Sequence, residues 1–532
     1  MKAIKTNQSS ALPTYCLSII SAVLFALCFP KFDLGIYLCW FSLVPLLFAI
    51  HRTTTLLSSF TMGFLSGLTA YGIMIFWIFT TINTFGGGFF GAVLGWISPV
   101  CVIAVCWGGF AVLARKAFER GSASITAIAI PAMWGFQEFI RSTPYFPFGG
   151  FAWCPLGTCL WKYPGLIQSS EIWGTYGISF MIMAVNILVF LLIQRAFRLS
   201  AYKTKDMLAS AAFTLSILAM TLLFSASRYQ AVKRELAPVM KISILQSLDN
   251  PYEKWNKDFS KDILASYLRM SKKALAQDPD LIIWPETAYP YLIPENARTM
   301  PPAFPSGNHL MGVMTEKFEI GAKRIRNSAL LIENRRIKGR YSKTHLVPFG
   351  EYVPLRIVLS LFIDVLTSLG EITPGDIVEP IDFEKMLGVT ICYESVFPEI
   401  SRKLKEKGSE VLINLTNDGW QMGTIGPYQH FSMNVFRSIE TRLPLVRAAN
   451  MGISAIINPL GEIEMQTRLD EKTIVTGTVY GAKNIHQGIL QITQKVFPYL
   501  CAILAIFLAI PISPHRQSIN KKAKKHRKQG KV

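Results

Sequence analysis

Apolar residues are arranged along this chain in two different ways. Through the first 226 residues they form long runs broken only by short polar loops. A helix needs roughly 20 apolar residues to cross a bilayer, and the runs at 14–30, 34–50, 57–81, 88–114, 124–140, 173–194 and 206–226 predict seven such helices. A run at 496–512 predicts an eighth. Between residues 229 and 490 the runs shorten to strand length and alternate with turn signals. Strands are expected at 241–246, 281–284, 309–314, 328–332, 387–392, 411–415, 445–449, 453–457 and 473–479. Residues 258–276 have helical spacing, with Phe259, Ile263, Leu264, Tyr267, Leu268, Met270 and Leu275 on one face. These nine strands, with helices between some of them, imply a layered α/β sandwich. The expected organisation is a seven-helix membrane domain over 1–228, an α/β domain over 229–490, and an eighth helix with a basic tail over 491–532.

Composition supports that division. At 51% hydrophobic residues and a mean hydropathy of +0.33, the chain is too apolar for an ordinary soluble protein. The first apolar run is followed by further spans and lacks a convincing small-residue cleavage site, so it reads as a retained helix. A net charge of +20 raises the question of nucleic acid. However, Lys521, Lys522, Lys524, Lys525, Arg527, Lys528 and Lys531 crowd the C-terminal end, where they read as a solvated anchor beside anionic lipid. No nucleic-acid partner is expected. In an eight-span arrangement Lys2, Lys5, Arg52, Arg115, Lys116, Arg120, Arg195, Arg198, Lys203, Lys205 and the tail fall on one side, against Lys31, Arg141 and Lys162 on the other. The positive-inside rule makes the first side cytoplasmic and puts the α/β domain outside the cytoplasm. The loop over 141–173 is aromatic and rich in Pro and Gly. It reads either as interfacial anchoring or as one wall of a lipid-accessible site on the face of the α/β domain.

Candidate chemistry collects at predicted strand ends. The stretch LGVTICYE runs a strand into Cys392, at a sheet rim where α/β folds place reacting side chains. The other cysteines, at 16, 28, 39, 101, 106, 154, 159 and 501, lie in or beside apolar runs. Cys392 therefore has no disulfide partner in its own domain and is either a small inert hydrophobe or a nucleophile. Glu286, in IIWPETAYP, is a turn cap or a carboxylate with a raised pKa suited to general acid–base work. In YSKTHLVPFGEYVP, Lys343 is a surface lysine or one that lowers a thiol pKa and steadies an oxyanion, and Glu351 sits in a stiff Pro/Gly loop. In NLTNDGW, Asn414, Asn417, Asp418 and Trp420 crowd one strand end and either satisfy a turn or line a site. The histidines are scattered, with no Cys/His cluster at ligand spacing, so no metal and no cofactor is expected.

The order Glu286, Lys343, Cys392, with PFGEYVP between the last two, resembles the nitrilase superfamily of carbon-nitrogen hydrolases. With membrane spans on both sides, the chain resembles the apolipoprotein N-acyltransferase family in particular. The likeness covers nearly the whole chain: the spans, WPET, KTHLVPFGEYVP, CYE, NLTNDGW, GPYQH with Arg437, Glu440 and Arg442, and PLVRAANMGIS. It implies an αββα domain facing the periplasm from a bacterial inner membrane, a monomer without cofactor, and a Glu286, Lys343, Cys392 triad. Supporting or substrate-binding roles are implied for Trp255, Asn327, Glu351, Tyr393, Glu394 and Asn417. The implied reaction passes a fatty acyl chain from a membrane phospholipid to Cys392 and from that thioester to the α-amino group of a diacylglyceryl-cysteine on an apolipoprotein. Such covalent catalysis divides one hard step into two easier ones and gives ping-pong kinetics. The chain departs from relatives at Trp420, Gln421 and Met422, where WFG is usual, and at Asn450, Met451 and Gly452, where NNG is common.

Three other readings remain open at this level. A membrane-tethered amidase would use the same triad with water as acceptor. A transporter or receptor would need charged residues inside the membrane, of which Glu138 is the clearest. A Cys–His acyl hydrolase would use His345 or His430 as base. Residues 354–370 are apolar enough for an arm dipping into the bilayer surface, or for a core helix.

Overall fold

The structure is a computed structural model and describes residues 11–84, 87–199, 202–249, 257–319, 322–348, 350–352, 372–483 and 489–509. Trp255, the predicted arm at 354–370 and the basic tail lie outside the described residues.

The N-terminal region is helical: α1 (Ala11–Leu27), α2 (Gly35–Leu38), α3 (Val44–Arg52), α4 (Leu56–Met74), α5 (Trp77–Thr84), α6 (Gly88–Glu119), α7 (Ala123–Ser142), α8 (Ser170–Ala196) and α9 (Thr204–Arg234). All seven predicted runs are present, but two are split: 34–50 into α2 and α3, and 57–81 into α4 and α5. Splitting a helix frees backbone groups that must find partners. At the first break Asn186 of α8 supplies them, accepting from the Leu43 N–H at 2.9 Å and donating to the Cys39 carbonyl at 2.7 Å. Among the described residues α4, α6, α8 and α9 are long and apolar enough to cross a membrane, and α1 and the C-terminal helix are shorter apolar helices.

The α/β region is a sandwich of two sheets. Strands β1 (Leu236–Gln246), β2 (Leu281–Trp284), β3 (Leu292–Pro294), β4 (Asn308–Glu319), β5 (Ala322–Glu333), β6 (Arg336–Ser342) and β12 (Thr473–Ala482) form one sheet, ordered β12-β1-β2-β4-β5-β6 with β3 beside β4. Strands β7 (Leu387–Ile391), β8 (Val411–Asn417), β9 (Leu445–Asn450), β10 (Ala455–Ile457) and β11 (Ile463–Gln466) form the other, ordered β11-β10-β9-β8-β7. Alternate side chains point to opposite faces of a strand, and the packing follows that rule. Leu281 and Ile283 of β2 face Val389, Ile413 and Val446 of the opposite sheet. Ile282 and Trp284 face Ile263, Tyr267 and Met270 of α10 (Lys257–Leu275). The second sheet is covered by α11 (Pro398–Glu406) and α12 (Gly426–Thr441), and their apolar faces share one core with the N-terminal helices. The layers are thus α10, sheet, sheet, α11 with α12, and then the helical region.

Strands β3, β6 and β11 do not figure among the predicted strands. β6 reads RIKGRYS and β11 reads IEMQ, edge strands whose polar positions mask the alternation, and β3 is only three residues long. The last helix, α13 (Ile489–Ala509), packs back against α7 and α8, and its Gln494 amide donates to the carbonyls of Glu171 (2.6 Å) and Glu440 (2.8 Å).

Candidate active site

Three chain turns meet where strands of the two sheets end. β2 ends on Trp284, whose ring stacks on Tyr267 and Phe304 at centroid distances of 4.9 and 5.6 Å. The chain then turns through Pro285 and Glu286 across β4. A side chain at Gly312 would put its Cβ 2.3 Å from the Pro285 carbonyl oxygen and 2.6 Å from the Glu286 Cα, so the turn requires glycine beneath it. Glu286 is 6% exposed. Its Oε1 accepts from Asn327 Nδ2 at 2.7 Å, and its Oε2 accepts from the Asn417 backbone N–H at 2.8 Å. Asn327 lies on β5 and Asn417 ends β8, so this one carboxylate bridges the two sheets.

Lys343 follows directly on β6, and its backbone N–H extends the ladder to the Asn327 carbonyl at 2.8 Å. The ammonium is 1% exposed. It donates to Glu351 Oε1 at 2.8 Å and stands 3.8 Å from Glu286 Oε1. Glu351 also accepts from Asn327 Nδ2 at 3.3 Å and from the Val347 N–H at 2.8 Å, which ties the stiff loop to the site. Burial opposes the Lys343 charge, but Glu351, the Cys392 thiol and Glu286 outweigh it and hold its pKa above the ordinary lysine value.

Cys392 leaves β7 as the first residue of a tight 3₁₀ turn (Cys392–Val396), with a left-handed φ of 52°. A side-chain-bearing residue held in that region is strained and must be over-determined by its surroundings. Glu394 supplies much of that constraint. It is fully buried, and its Oε2 accepts from the Ile391 N–H at 2.8 Å. Its Oε1 accepts from the Tyr341 hydroxyl (2.8 Å), the Thr344 N–H (2.7 Å) and hydroxyl (2.8 Å), and the His345 N–H (3.1 Å). Glu394 therefore straps the segment carrying Lys343 to the turn carrying Cys392.

From the other side, Asn414 Nδ2 donates to the Cys392 carbonyl at 3.3 Å, and His430 Nε2 lies 3.2 Å from the same oxygen. His430 Nδ1 stands 3.0 Å from Asp418 Oδ1, and Arg447 donates to Asp418 Oδ2 at 2.7 Å and to Asn414 Oδ1 at 2.6 Å. Burial would raise the Asp418 pKa, but Arg447 and His430 hold it at about 2. Burial and Arg447 both hold the His430 imidazole below its usual value.

The turn also touches the helical region. The Tyr393 hydroxyl donates to the Gly150 carbonyl at 3.3 Å, and its ring stacks near Trp153 at 6.3 Å. Trp153 is 2% exposed, and Arg141 and Tyr71 donate to its carbonyl. The central part of the 141–173 loop is thus a wall packed against the cysteine turn. Glu138 accepts from Trp134 Nε1 at 2.9 Å and the Leu156 N–H at 2.7 Å, fastening the same loop.

The structure brings Glu286, Lys343, Cys392, Asn327, Glu351, Tyr393, Glu394 and Asn417 together; Trp255 lies outside the described residues. One reading changes and one gains its context. Burial and then the Glu286 charge push the Cys392 thiol up, and Lys343 lowers it, as its place beside the thiol predicts, but offsets them only in part. Neither histidine has its ring on the thiol as a Cys–His base would. His430 faces the Cys392 carbonyl and Ser395, and the His345 ring packs on Phe397 at 4.0 Å, with burial and then Lys343 holding its pKa down to about 4. The residue pattern offered Asp418 as a turn or site residue and His430 as a possible base, but did not join them with Arg447 into one set behind the turn. The further signal was an arginine inside the apolar strand LVRAAN.

The carbon-nitrogen hydrolase family matches residues 250–482, and the apolipoprotein N-acyltransferase N-terminal domain matches residues 21–188. Over 489 residues the chain is 34% identical to an apolipoprotein N-acyltransferase of Geobacter metallireducens, covering 87% of this chain and 89% of that protein. A relative of the same name in Rhizobium rhizogenes is 30% identical over 443 residues, covering 76% of this chain and 80% of that protein. A solved carbon-nitrogen hydrolase from Helicobacter pylori overlays 49% of this chain and 94% of its own, at 18% identity and a TM-score of 0.34.

Proposed function

The chain belongs to the apolipoprotein N-acyltransferase family, and from that premise we propose how its site works. The protein is an acyltransferase of lipoprotein maturation in the bacterial inner membrane. It moves a fatty acyl chain from a membrane phospholipid to the free α-amino group of the diacylglyceryl-cysteine that begins an apolipoprotein.

Glu286, Lys343 and Cys392 carry the chemistry. Attack is coupled to proton transfer. Glu286 takes the proton as Sγ bonds to the ester carbonyl carbon, and Lys343 donates to the oxygen that becomes negative. Collapse expels the lysophospholipid alkoxide, which receives the proton from Glu286, and leaves a thioester on Cys392. The acceptor amine then attacks that thioester. Glu286 takes the amine proton, the amide forms, and the thiolate leaves and is reprotonated. Asn327 and the Asn417 N–H hold the Glu286 carboxylate between the sheets, Glu351 holds Lys343, and Glu394 sets the spacing of Lys343 from Cys392. Tyr393 and Trp255 bind substrate. The convergence of Glu286, Lys343 and Cys392 from both sheets supports this assignment above all.

In this reading residues 1–228 are the membrane domain with seven spans, residues 229–490 are the catalytic domain facing the periplasm, and residues 491–532 hold the eighth span and a cytoplasmic tail. The basic loops support that orientation. The protein acts as a monomer. The deciding experiment is intact mass of the full-length protein after incubation with phospholipid alone. A fatty-acyl adduct on Cys392 is expected, absent in Cys392→Ala and discharged by a diacylglyceryl-cysteine peptide. An unmodified Cys392 in folded, lipid-embedded protein would overturn the reading.

A further inference from the structure

One buried side chain of the α/β region is bonded entirely to the helical region. Gln429, in the first turn of α12, is fully buried. Its Oε1 accepts the indole N–H of Trp153 at 2.7 Å and that of Trp77 at 3.2 Å. Its Nε2 donates to the Met74 carbonyl at 3.0 Å. Met74 ends α4, and its carbonyl is among those a helix leaves without an internal N–H partner. The two indoles pack on each other, with centroids 5.2 Å apart.

The chemistry of this position is specific. The site asks for an oxygen with two lone pairs and an N–H on the same short planar group, which is a primary amide. Glutamate would set an oxygen against the Met74 carbonyl, and leucine would leave two buried indole N–H groups without acceptors.

What Gln429 holds in place is the wall beside the nucleophile. The Trp153 ring lies 5.7 Å from the His430 ring and 6.3 Å from the Tyr393 ring, at interplanar angles of 33° and 26°. Tyr393 is the residue after Cys392, and His430 faces the Cys392 carbonyl. The orientation of one indole therefore reaches the nucleophile's turn by two routes.

We infer that Gln429 is a positioning residue: by clamping Trp153 and the end of α4, it seats the Cys392–Tyr393 turn against the helical region so that a lipid-borne ester reaches the thiol. This rests on Cys392 being the acyl carrier. The clamp contributes to the approach of lipid substrate, whereas ionisation of the thiol is set by its burial and by Glu286 and Lys343.

That separation defines the test, made on full-length protein in phospholipid vesicles. The rate of Cys392 acylation by phospholipid is compared with its alkylation by iodoacetamide between about pH 7 and 10, a range that brackets an ordinary thiol pKa. In Gln429→Leu, acylation should fall by about tenfold or more while the alkylation profile stays within about twofold of wild type. Trp153→Phe keeps an aromatic ring in the wall but loses the N–H together with the pyrrole ring; it should show the same split and serves if Gln429→Leu does not fold. The double variant should lose little beyond either single one, as residues acting through one contact do. Acylation at the wild-type rate in both single variants, or acylation and alkylation falling in parallel, would overturn the inference. Absence of an adduct in wild type, with alkylation normal, would instead remove the acyl-carrier assignment and this inference with it.

Discussion

Two buried charge clusters meet at the Cys392 turn, and they are built to opposite ends. Around Asp418 the acceptors and donors are matched. Its carboxylate accepts from Thr416 and Arg447 and faces His430, while Arg447 also donates to Asn414 Oδ1 and, through Nε, to the Ile453 carbonyl at 3.1 Å. Around Lys343 the match is looser. An ammonium has three N–H groups, and here it makes one short bond, to Glu351, and one longer ion pair, to Glu286. In a low-dielectric interior a matched cluster is scaffold, whereas donor capacity held in reserve is available to a charge that forms during reaction. The Lys343 cluster has two carboxylates to one ammonium, and the Glu286 charge adds to burial in pushing the thiol pKa up. Similar residue types thus serve shape on one side of the turn and chemistry on the other.

The contrast yields four expectations. Glu286→Gln keeps an oxygen for the Asn417 N–H but has no base, so phospholipid-dependent acylation of Cys392 should fall by about a thousandfold with the unfolding midpoint little changed. Near-normal acylation would mean that the base lies elsewhere. Arg447→Met strands the Asp418 charge in the interior and should cost about 3–5 kcal/mol of stability, read from denaturant unfolding. A loss under about 1 kcal/mol, the range of a solvent-exposed pair, would dissolve the distinction between the clusters. Lys343→Met should lower acylation by about a hundredfold and move the iodoacetamide profile of Cys392 to higher pH, since Lys343 partly offsets the other influences on the thiol. An unchanged profile would place the ammonium out of the thiol's reach.

The smallest effect concerns acid. The Asp418 pKa is about 2 in the folded protein, below the ordinary aspartate value of 3.8. A depressed carboxylate pKa contributes stability that is complete above the unfolded value and disappears as pH falls through the folded one. About 2 kcal/mol should therefore be lost between about pH 4 and pH 2, and Arg447→Met should flatten that part of the curve. If the variant keeps the full slope, the acid sensitivity belongs to other carboxylates.

How much of this could be read along the chain depended on whether the cause was local. A lone cysteine at a strand end, and carboxylates and a lysine beside prolines and glycines, announce themselves by type and position. The sandwich was also legible, because buried strands such as LIIW are apolar throughout. The scaffold cluster was not. Thr390, Asn414 and Arg447 are isolated polar residues in three apolar strands, and only the parallel register, which pairs Thr390 with Asn414 and Asn414 with Arg447, lines them into one polar row. His430 looked like a possible base because spacing cannot show which atom a ring faces. The departure at Met451 has a local reading: the residue adopts a φ of 49°, where asparagine is more at ease than methionine.

The break between α2 and α3 has a consequence for how the protein is made. Its freed N–H and C=O are satisfied by Asn186, which lies 143 residues beyond Leu43 in the chain. Buried backbone groups left unpaired are costly, and a ribosome delivers the break well before its partner. The early segment must therefore be kept wet, or sheltered by the insertion machinery, until α8 emerges. The order in which the helices are born is not the order in which they can come to rest.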